Sequence, residues 1–455
     1  RLFNVDQTID DITISDPLDP NRFDLNSFAM AATPAGSRYH FNPAMGLLEI
    51  SGSGSPLDVA VGEELIIEFA VSLKSTLING TPVENQATLS AAGSLTAQSD
   101  DPYVNGTAAA GDPADPTTVL IQAPGPLAKV ASKASATIGE AFAYRITIPA
   151  IPVSVPLYDV RILDDLGLSD ADMRFVSAAV VSGGGWNPVN TGTDTAPVIE
   201  DIITGIDIPA NGQAVIDITV EMLNTLNNAR GLTFNNSARF TYNRSNGDDG
   251  TRMSAGTGSS ADMTVVEPDL TATKAVRFAT PAGKRSTDPA TVGDVLEYEI
   301  SISNTGDTTA FDTGVLDTLP PNLSLIPDSA TAQINGVAIA GFVVNPTTLA
   351  SGELAWGRRN GDSLLDIPVN QSLVIAYQAR VASITGANAT NGVHVDWTSL
   401  DGANAAERTG DGCPNPDPLN DYCFGPITAT VPTSDNTAIA KAVVADSYAE
   451  TPAST

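Results

Sequence analysis

Histidine and cysteine are nearly missing from this 455-residue chain, which has two of each. That scarcity removes most metal centres built on imidazole or thiolate. Basic residues are also few: 22 Lys and Arg stand against 53 Asp and Glu, a formal net charge of −31. No basic stripe is left to displace counterions from phosphates, which excludes nucleic acid as a partner. Anionic membrane surfaces are excluded on the same ground. Aromatic residues make up only 5% of the chain, so a core must be built mainly from Val, Ile, Leu and Ala. No apolar run reaches the roughly 18 residues that a membrane-crossing helix needs. There is no G-x-S-x-G elbow (Gly52-Ser53-Gly54-Ser55 reads as a turn), no P-loop, and no G-x-G-x-x-G between strand and helix. His40 and His394 lie far apart, and His394, in Gly392-Val393-His394-Val395-Asp396-Trp397, reads as a strand residue rather than a base. These absences argue against an enzyme.

What the chain does contain is repetition. Its length suits about three domains. Leu157-Tyr158-Asp159-Val160 leading to Leu163-Asp164-Asp165-Leu166 matches Ala310-Phe311-Asp312-Thr313 leading to Leu316-Asp317-Thr318-Leu319. A third copy is read at Leu2-Phe3-Asn4-Val5 leading to Ile9-Asp10-Asp11-Ile12. Before the last two copies stand Ile138-Gly139-Glu140 and Val292-Gly293-Asp294, each opening an alternating stretch. Late in each unit come Asn85-Gln86-Ala87, Asn236-Ser237-Ala238 and Asn391-Gly392-Val393. A Lys after a short apolar run recurs at Lys129, Lys274 and Lys441. One order of landmarks at one spacing is the signature of tandem structural repeats.

Between the landmarks, apolar and polar residues alternate, as in 214–222, 297–303 and 373–381. Period two predicts strands with one buried face. Turn clusters at 243–250, 303–307 and 358–362 separate them, and only residues 169–175 suggest a single helical turn. The fold class expected is all-β: tandem immunoglobulin-like β-sandwiches in an extended rod. The units expected are 1–123, a repeat lacking its opening strands; 124–267; 268–433, with a Cys loop; and 434–455, the opening strand of a further repeat or a donor strand. Pro-bearing junctions divide them and are short and stiff. Arg1 falls inside the repeat pattern with no signal peptide before it, so the chain reads as an excerpt or a processed product. Two explanations of the out-of-phase ends stand. One is a window on a longer array. The other is a strand around Lys441 that completes the open first unit of the next molecule, although that donor brings one clear strand where two are lacking.

The residues LTATKAV (270–276), VGDVLEYEISISNTGDTTAFDTGVLDTLPPNLSLI (292–326) and the later Asn-x-Ala strand resemble the surface-repeat domain of bacterial and archaeal exported proteins, domain of unknown function 11 type, and the related isopeptide-forming fimbrial domains. The third unit matches best, the second moderately, the first only in its later part. The resemblance implies tandem sandwiches in extracellular, cell-surface stalks, adhesins or fimbria-like fibres. It also implies an internal amide between a Lys and an Asn, assisted by a buried acid. Such chemistry needs a neutral amine in an apolar site. Carried onto this chain, it pairs Lys129 with Asn236 beside Asp164, and Lys274 with Asn391 beside Asp317. Between molecules it pairs Lys441 with Asn85, with Asp10 as the acid. The bland alternative is outer-strand lysines that discourage edge pairing, with Asn and Asp capping turns.

Further expectations follow from composition and local pattern. Cys413 and Cys423 flank a turn-rich segment and are expected to form a local disulfide. No cofactor is required; calcium is a candidate at Asn246, Asp248 and Asp249, at Asp16, Asp19 and Asn21, and at Asp411, Asp417 and Asp421, although none forms a D-x-[DN]-x-[DN]-G loop. Trp186, Trp356 and Trp397 suit either carbohydrate stacking or a core. Asn-x-Ser/Thr sequons at 79, 105, 235 and 388 matter only in a glycosylating host. The function expected is a non-catalytic structural protein of a fibre, stalk or filament. Its partners are copies of itself, in a head-to-tail homopolymer or a tandem array, and a host surface or glycan, with no membrane insertion. The alternative is an adhesin or surface-layer segment binding a glycan or host protein. A hydrolase with β-sandwich accessory modules would need a catalytic domain outside this stretch.

Overall fold

In the computed structural model the residues described are 2–3, 7–74, 76–101, 103–104, 114–201, 205–411 and 417–435. They are nearly all β, with no α-helix among them. Alternation is the cause. In Ala214–Met222 the residues Ala214, Ile216, Ile218 and Val220 are fully buried while Val215, Asp217 and Thr219 turn partly outward. Such a strand has one face for a core and one for water.

The second unit is a two-sheet sandwich. One sheet runs Ala128–Ala131, Ala141–Ile148, Ala214–Met222, Met173–Ser182; the other runs Val189–Asn190, Val198–Glu200, Leu157–Asp165, Ser237–Asn243, Met253–Ser259. The third unit repeats this frame. Its first sheet begins Leu270–Thr280, Val295–Asn304, Ser372–Val381, Thr331–Ile334. Its second runs Thr347–Thr348, Leu354–Gly357, Phe311–Thr318, Asn388–Thr398, Cys423–Pro432. One apolar core gathers Leu127 to Val265, another Leu270 to Val431. The three tryptophans belong to this packing. Trp186 and Trp356 are buried and donate their indole N–H to Val160 O and Val344 O, and Trp397 stacks on Tyr422. They are core anchors, which corrects the carbohydrate-platform reading.

The first unit keeps only part of the frame. Its second sheet is complete: Ser37–Asn42, Leu47–Gly52, Thr13–Pro17, Thr88–Ala91, Leu95–Gln98. Among the described residues its first sheet holds Phe23–Ala32 and Glu68–Leu73. Among the described residues no strand lies on the other edge of Glu68–Leu73, where the second and third units place the Gly-led strand and then the Lys strand. The inward residues show the loss: Phe69 and Val71 are only partly buried, whereas Ile216, Ile218, Ile375 and Tyr377 are fully covered.

The structure also corrects the register of the first unit. A left-handed Asp marks the same point in each repeat: Asp11 (φ 56°), Asp159 (φ 49°) and Asp312 (φ 45°). Asp, short and polar, is one of the few residues that enters this region readily. Each donates its backbone N–H to a second Asp: Asp11 to Asp58 at 2.8 Å, Asp159 to Asp207 at 3.0 Å, Asp312 to Asp366 at 3.0 Å. The pairings Ile9–Val59, Leu157–Ile208 and Ala310–Ile367 agree. Ile9-Asp10-Asp11-Ile12 is therefore the counterpart of Leu157-Tyr158-Asp159-Val160, seven positions later than the landmark read at Phe3. The counterpart of Asp164 and Asp317 is Asp16, not Asp10.

Candidate functional site: buried lysine, aspartate and asparagine

In the second unit, Lys129 sits on the outermost strand of the first sheet but points into the sandwich. It ion-pairs with Asp164, and both side chains are fully buried. Asp164 lies near the end of the central strand of the facing sheet and accepts a 2.9 Å bond from Asn236 Nδ2. Lys129 Nζ stands 4.7 Å from the centre of the Tyr144 ring, and Asn236 Oδ1 has no hydrogen-bond partner. The third unit repeats the arrangement. Lys274 ion-pairs with Asp317, with both side chains fully buried and Tyr298 under the amine at 5.5 Å. Here Tyr377 bridges: its hydroxyl donates to Asp317 Oδ2 at 2.9 Å and accepts from Asn391 Nδ2 at 2.6 Å. Asn391 Oδ1 and Asp317 Oδ1 are left without partners. Tyr377 was missed from sequence because the second unit carries Ile218 at that place, so no repeat marks it.

These sites are costly as charges. Burial lowers the pKa of Lys129 and of Lys274, each only partly countered by its Asp. Burial likewise raises Asp317, against the opposing pull of Lys274 and its hydrogen bonds. In the third unit the two shifts run together and favour moving the proton from Lys274 to Asp317, leaving a neutral pair. A neutral amine is a nucleophile; a protonated carboxyl is a proton donor; an Asn whose carbonyl oxygen is unpaired is an acceptor that such a donor can polarise.

In the first unit two of the three parts are present. Asp16 is 7% exposed and accepts a 3.3 Å bond from Asn85 Nδ2. Asp16 Oδ1 and Asn85 Oδ1 have no partner. Burial raises the Asp16 pKa, partly offset by the Asn85 bond. Asp10, expected as the acid, is exposed; it takes the place of Tyr158 in the second unit, six positions before the buried acid. The unit's single lysine, Lys74, is exposed at the end of its strand. Lys441 and Cys413 lie outside the described residues, so neither the intermolecular pairing nor the disulfide with Cys423 has a geometry here.

The acidic loop at 243–250 is turned onto protein partners. Asn246 Nδ2 donates to Asp207, Asp248 accepts from Gly250 N, and Asp249 pairs with Arg252 and Arg161.

No family model matches the chain, and no curated protein does. Several solved structures are similar in fold. The C-terminal domain of the Streptococcus agalactiae AgI/II polypeptide BspA is 12% identical, covers 62% of this chain and 97% of its own, and has a TM-score of 0.33. The collagen adhesin of S. aureus is 10% identical, covers 68% and 94%, and has a TM-score of 0.22. The pilus backbone protein RrgB of Streptococcus pneumoniae is 20% identical over 29% of this chain and 32% of its own, with a TM-score of 0.21.

Proposed function

We propose that this chain is a structural segment of an extracellular, cell-surface fibre or stalk, with each complete repeat closed by an amide between its buried Lys and Asn, and with copies joined head to tail at the first unit. One observation carries the reading: the Lys–Asp–Asn cluster is complete in two repeats and lacks only its Lys in the third.

The chemistry needs only groups already in place. Neutral Lys Nζ attacks the Asn Cγ while the protonated Asp supports the carbonyl oxygen. The Asp then returns its proton and relays one from the attacking nitrogen to the leaving amide nitrogen. One C–N bond forms, one breaks, and ammonia leaves. The products are Lys129–Asn236 and Lys274–Asn391 cross-links. In the first unit the same step takes Lys441 of a second copy. Residues Thr437–Val444, TAIAKAVV, share the pattern of 125–132 and 270–277 and suit the edge of Glu68–Leu73 that no strand among the described residues pairs with. Asn85 is the acceptor and Asp16 the acid. A contact of this kind does not close on itself and builds a filament.

Intact-mass analysis with a reducing denaturing gel tests both levels. Each internal amide lowers the mass by about 17 Da, and the joint gives a ladder at multiples of the chain. An unshifted mass refutes the internal bonds. A shifted mass with a single monomer band keeps them and refutes the covalent joint.

A second reading is an adhesin segment. It rests on a cleft of about 870 Å³ whose lining includes Ile78, Leu120, Ile151, Tyr158 and Met253, from the first and second units. Ile78 and Ile151 are 75% and 73% exposed. Binding of a host-surface glycan or protein that is lost in Ile78→Asp or Ile151→Asp, with the ladder intact, would favour it.

A further inference from the structure

Every repeat sets a second Asp against the backbone of its left-handed Asp, and the second and third units surround this point differently. In the second unit the pair is covered by donors. Asp159 Oδ2 accepts from Asn243 Nδ2 at 2.7 Å and from Gly247 N at 2.8 Å. Asp207 Oδ2 accepts from Asn246 Nδ2 at 3.3 Å, and Arg252 reaches the Asp159 carbonyl. All these donors come from the 243–252 segment.

In the third unit the corresponding loop follows Thr398, the counterpart of Asn243. It brings a third carboxylate instead of amides. Asp312, Asp366 and Asp401 each place an oxygen within 4.8 Å of the other two. The single donor that the loop gives Asp312 through its backbone is Gly402 N, at 2.8 Å to Oδ2. Asp312 is 6% exposed, and its Oδ1 has no hydrogen-bond partner. Glu407 Oε2, farther along the same loop, is likewise buried and unpartnered and repels Asp312 electrostatically. Among the described residues no Lys or Arg forms an ion pair with any of the three aspartates. The cation nearest in effect, Arg358, is engaged by Asp396 and Asp411. Like charges this close, one of them buried, call for a positive partner that the described residues do not supply.

We propose that Asp312, Asp366 and Asp401 form a calcium site in the third unit. Oxygen-only donors from carboxylates suit a hard divalent cation, and ligand atoms about 4.8 Å apart or closer can share a Ca²⁺ that holds each at about 2.3–2.6 Å. Three carboxylates, on one buried strand position and two loops, match the flexible coordination of Ca²⁺ better than the strict octahedron of Mg²⁺. The site also has a structural consequence. The 399–410 loop packs on the second unit: Ser399 Oγ donates to Ile138 O at 2.8 Å, and Arg408 reaches Glu267 at 3.0 Å and Asn224 at 2.9 Å. A cation holding Asp401 steadies the loop that makes this junction.

The test is calorimetric titration of CaCl₂ into the full chain after chelator treatment, paired with thermal melting. One site is expected, with affinity in the range of about 10⁻⁴–10⁻³ M typical of extracellular modules. Asp401→Ala, on the exposed loop, is expected to weaken binding about tenfold or more, by loss of a charged ligand. Asp312→Asn is expected to abolish it, and Asp207→Asn in the second unit to leave it unchanged. If Asp312→Asn fails to fold, Asp401→Ala still decides. Absence of heat and of any melting shift at about 10 mM Ca²⁺, well above that affinity range, overturns the proposal. So does full-affinity binding in Asp401→Ala, or loss of the site in Asp207→Asn.

Discussion

Asn391→Ala removes the acceptor of the third unit's amide while leaving the Lys274–Asp317 ion pair in place. The amide closes a loop between positions 117 apart in sequence. On the chain-entropy treatment of cross-links, a loop of that length restrains the unfolded chain by about 5 kcal/mol. The variant also loses the 2.6 Å bond from Asn391 to Tyr377, worth about 1 kcal/mol. For a domain of this size each kcal/mol moves the melting point by about 2–4 °C, so the third unit should melt about 12–24 °C lower. Asp317→Ala should cost more, because it also strands Lys274 in an apolar site, and removing one partner of a buried pair costs about 3–5 kcal/mol. Differential scanning calorimetry with intact mass on the same samples is the assay. The variant should regain the about 17 Da lost as ammonia, beyond the change of side chain. If the two masses differ by the side chain alone, and the transition moves by no more than a few degrees, the cross-link is not there.

Other outcomes follow from the same geometry. Asp16→Ala should abolish the ladder on a denaturing gel, whereas Asp10→Ala, an exposed site, should leave it intact; the reverse would restore the register read at Phe3. Tyr377→Phe should slow amide formation in the third unit, followed by mass after refolding, while the second unit, which has Ile218 there, reacts as before. Asp16 is raised above its unfolded value by burial, so it contributes stability below the unfolded carboxylate value and loses it as pH rises through the folded one. In a Lys441→Ala chain, urea unfolding of the first unit should therefore show stability falling as pH rises from about 4. Asp16→Asn should remove that slope, and a rising slope in the parent would contradict it.

Much of the frame was legible from alternation and from repeated landmarks. Lys129 with Asn236, and Lys274 with Asn391, fell on matching positions because the second and third units share one strand order, and in both the Lys and the Asn reach the same buried Asp of the central strand or its neighbour. The first unit misled because Ile9-Asp10-Asp11-Ile12 fits two places in the pattern. Apolar spacing tolerates either; the left-handed backbone at Asp11 does not. The spacing Asp-x₄-Asp-x-Leu, present at Asp11–Leu18, Asp159–Leu166 and Asp312–Leu319, is the signal that resolves it. The Asp312, Asp366 and Asp401 cluster left no local trace, since its members are separated by 54 and 35 positions and meet only through sheet pairing. The acidic loop at 243–250 looked more like a cation site, yet Asp249 is paired with Arg252 and Arg161, and Asp248 accepts from the Gly250 backbone amide.

The position of the lysine strands bears on how a filament carries tension. In the third unit Lys274 lies on the opening strand, Leu270–Thr280, and Asn391 on the next-to-last, Asn388–Thr398. A pull applied at the two ends of the unit enters near the first and leaves after residue 433. With the proposed amide between them, the load bypasses residues 275–390 and passes through one covalent bond. Residues 392–433, which include the final strand Cys423–Pro432, lie outside that closed loop and can still peel. Extension is then confined to this C-terminal part of the repeat and to the junctions between repeats.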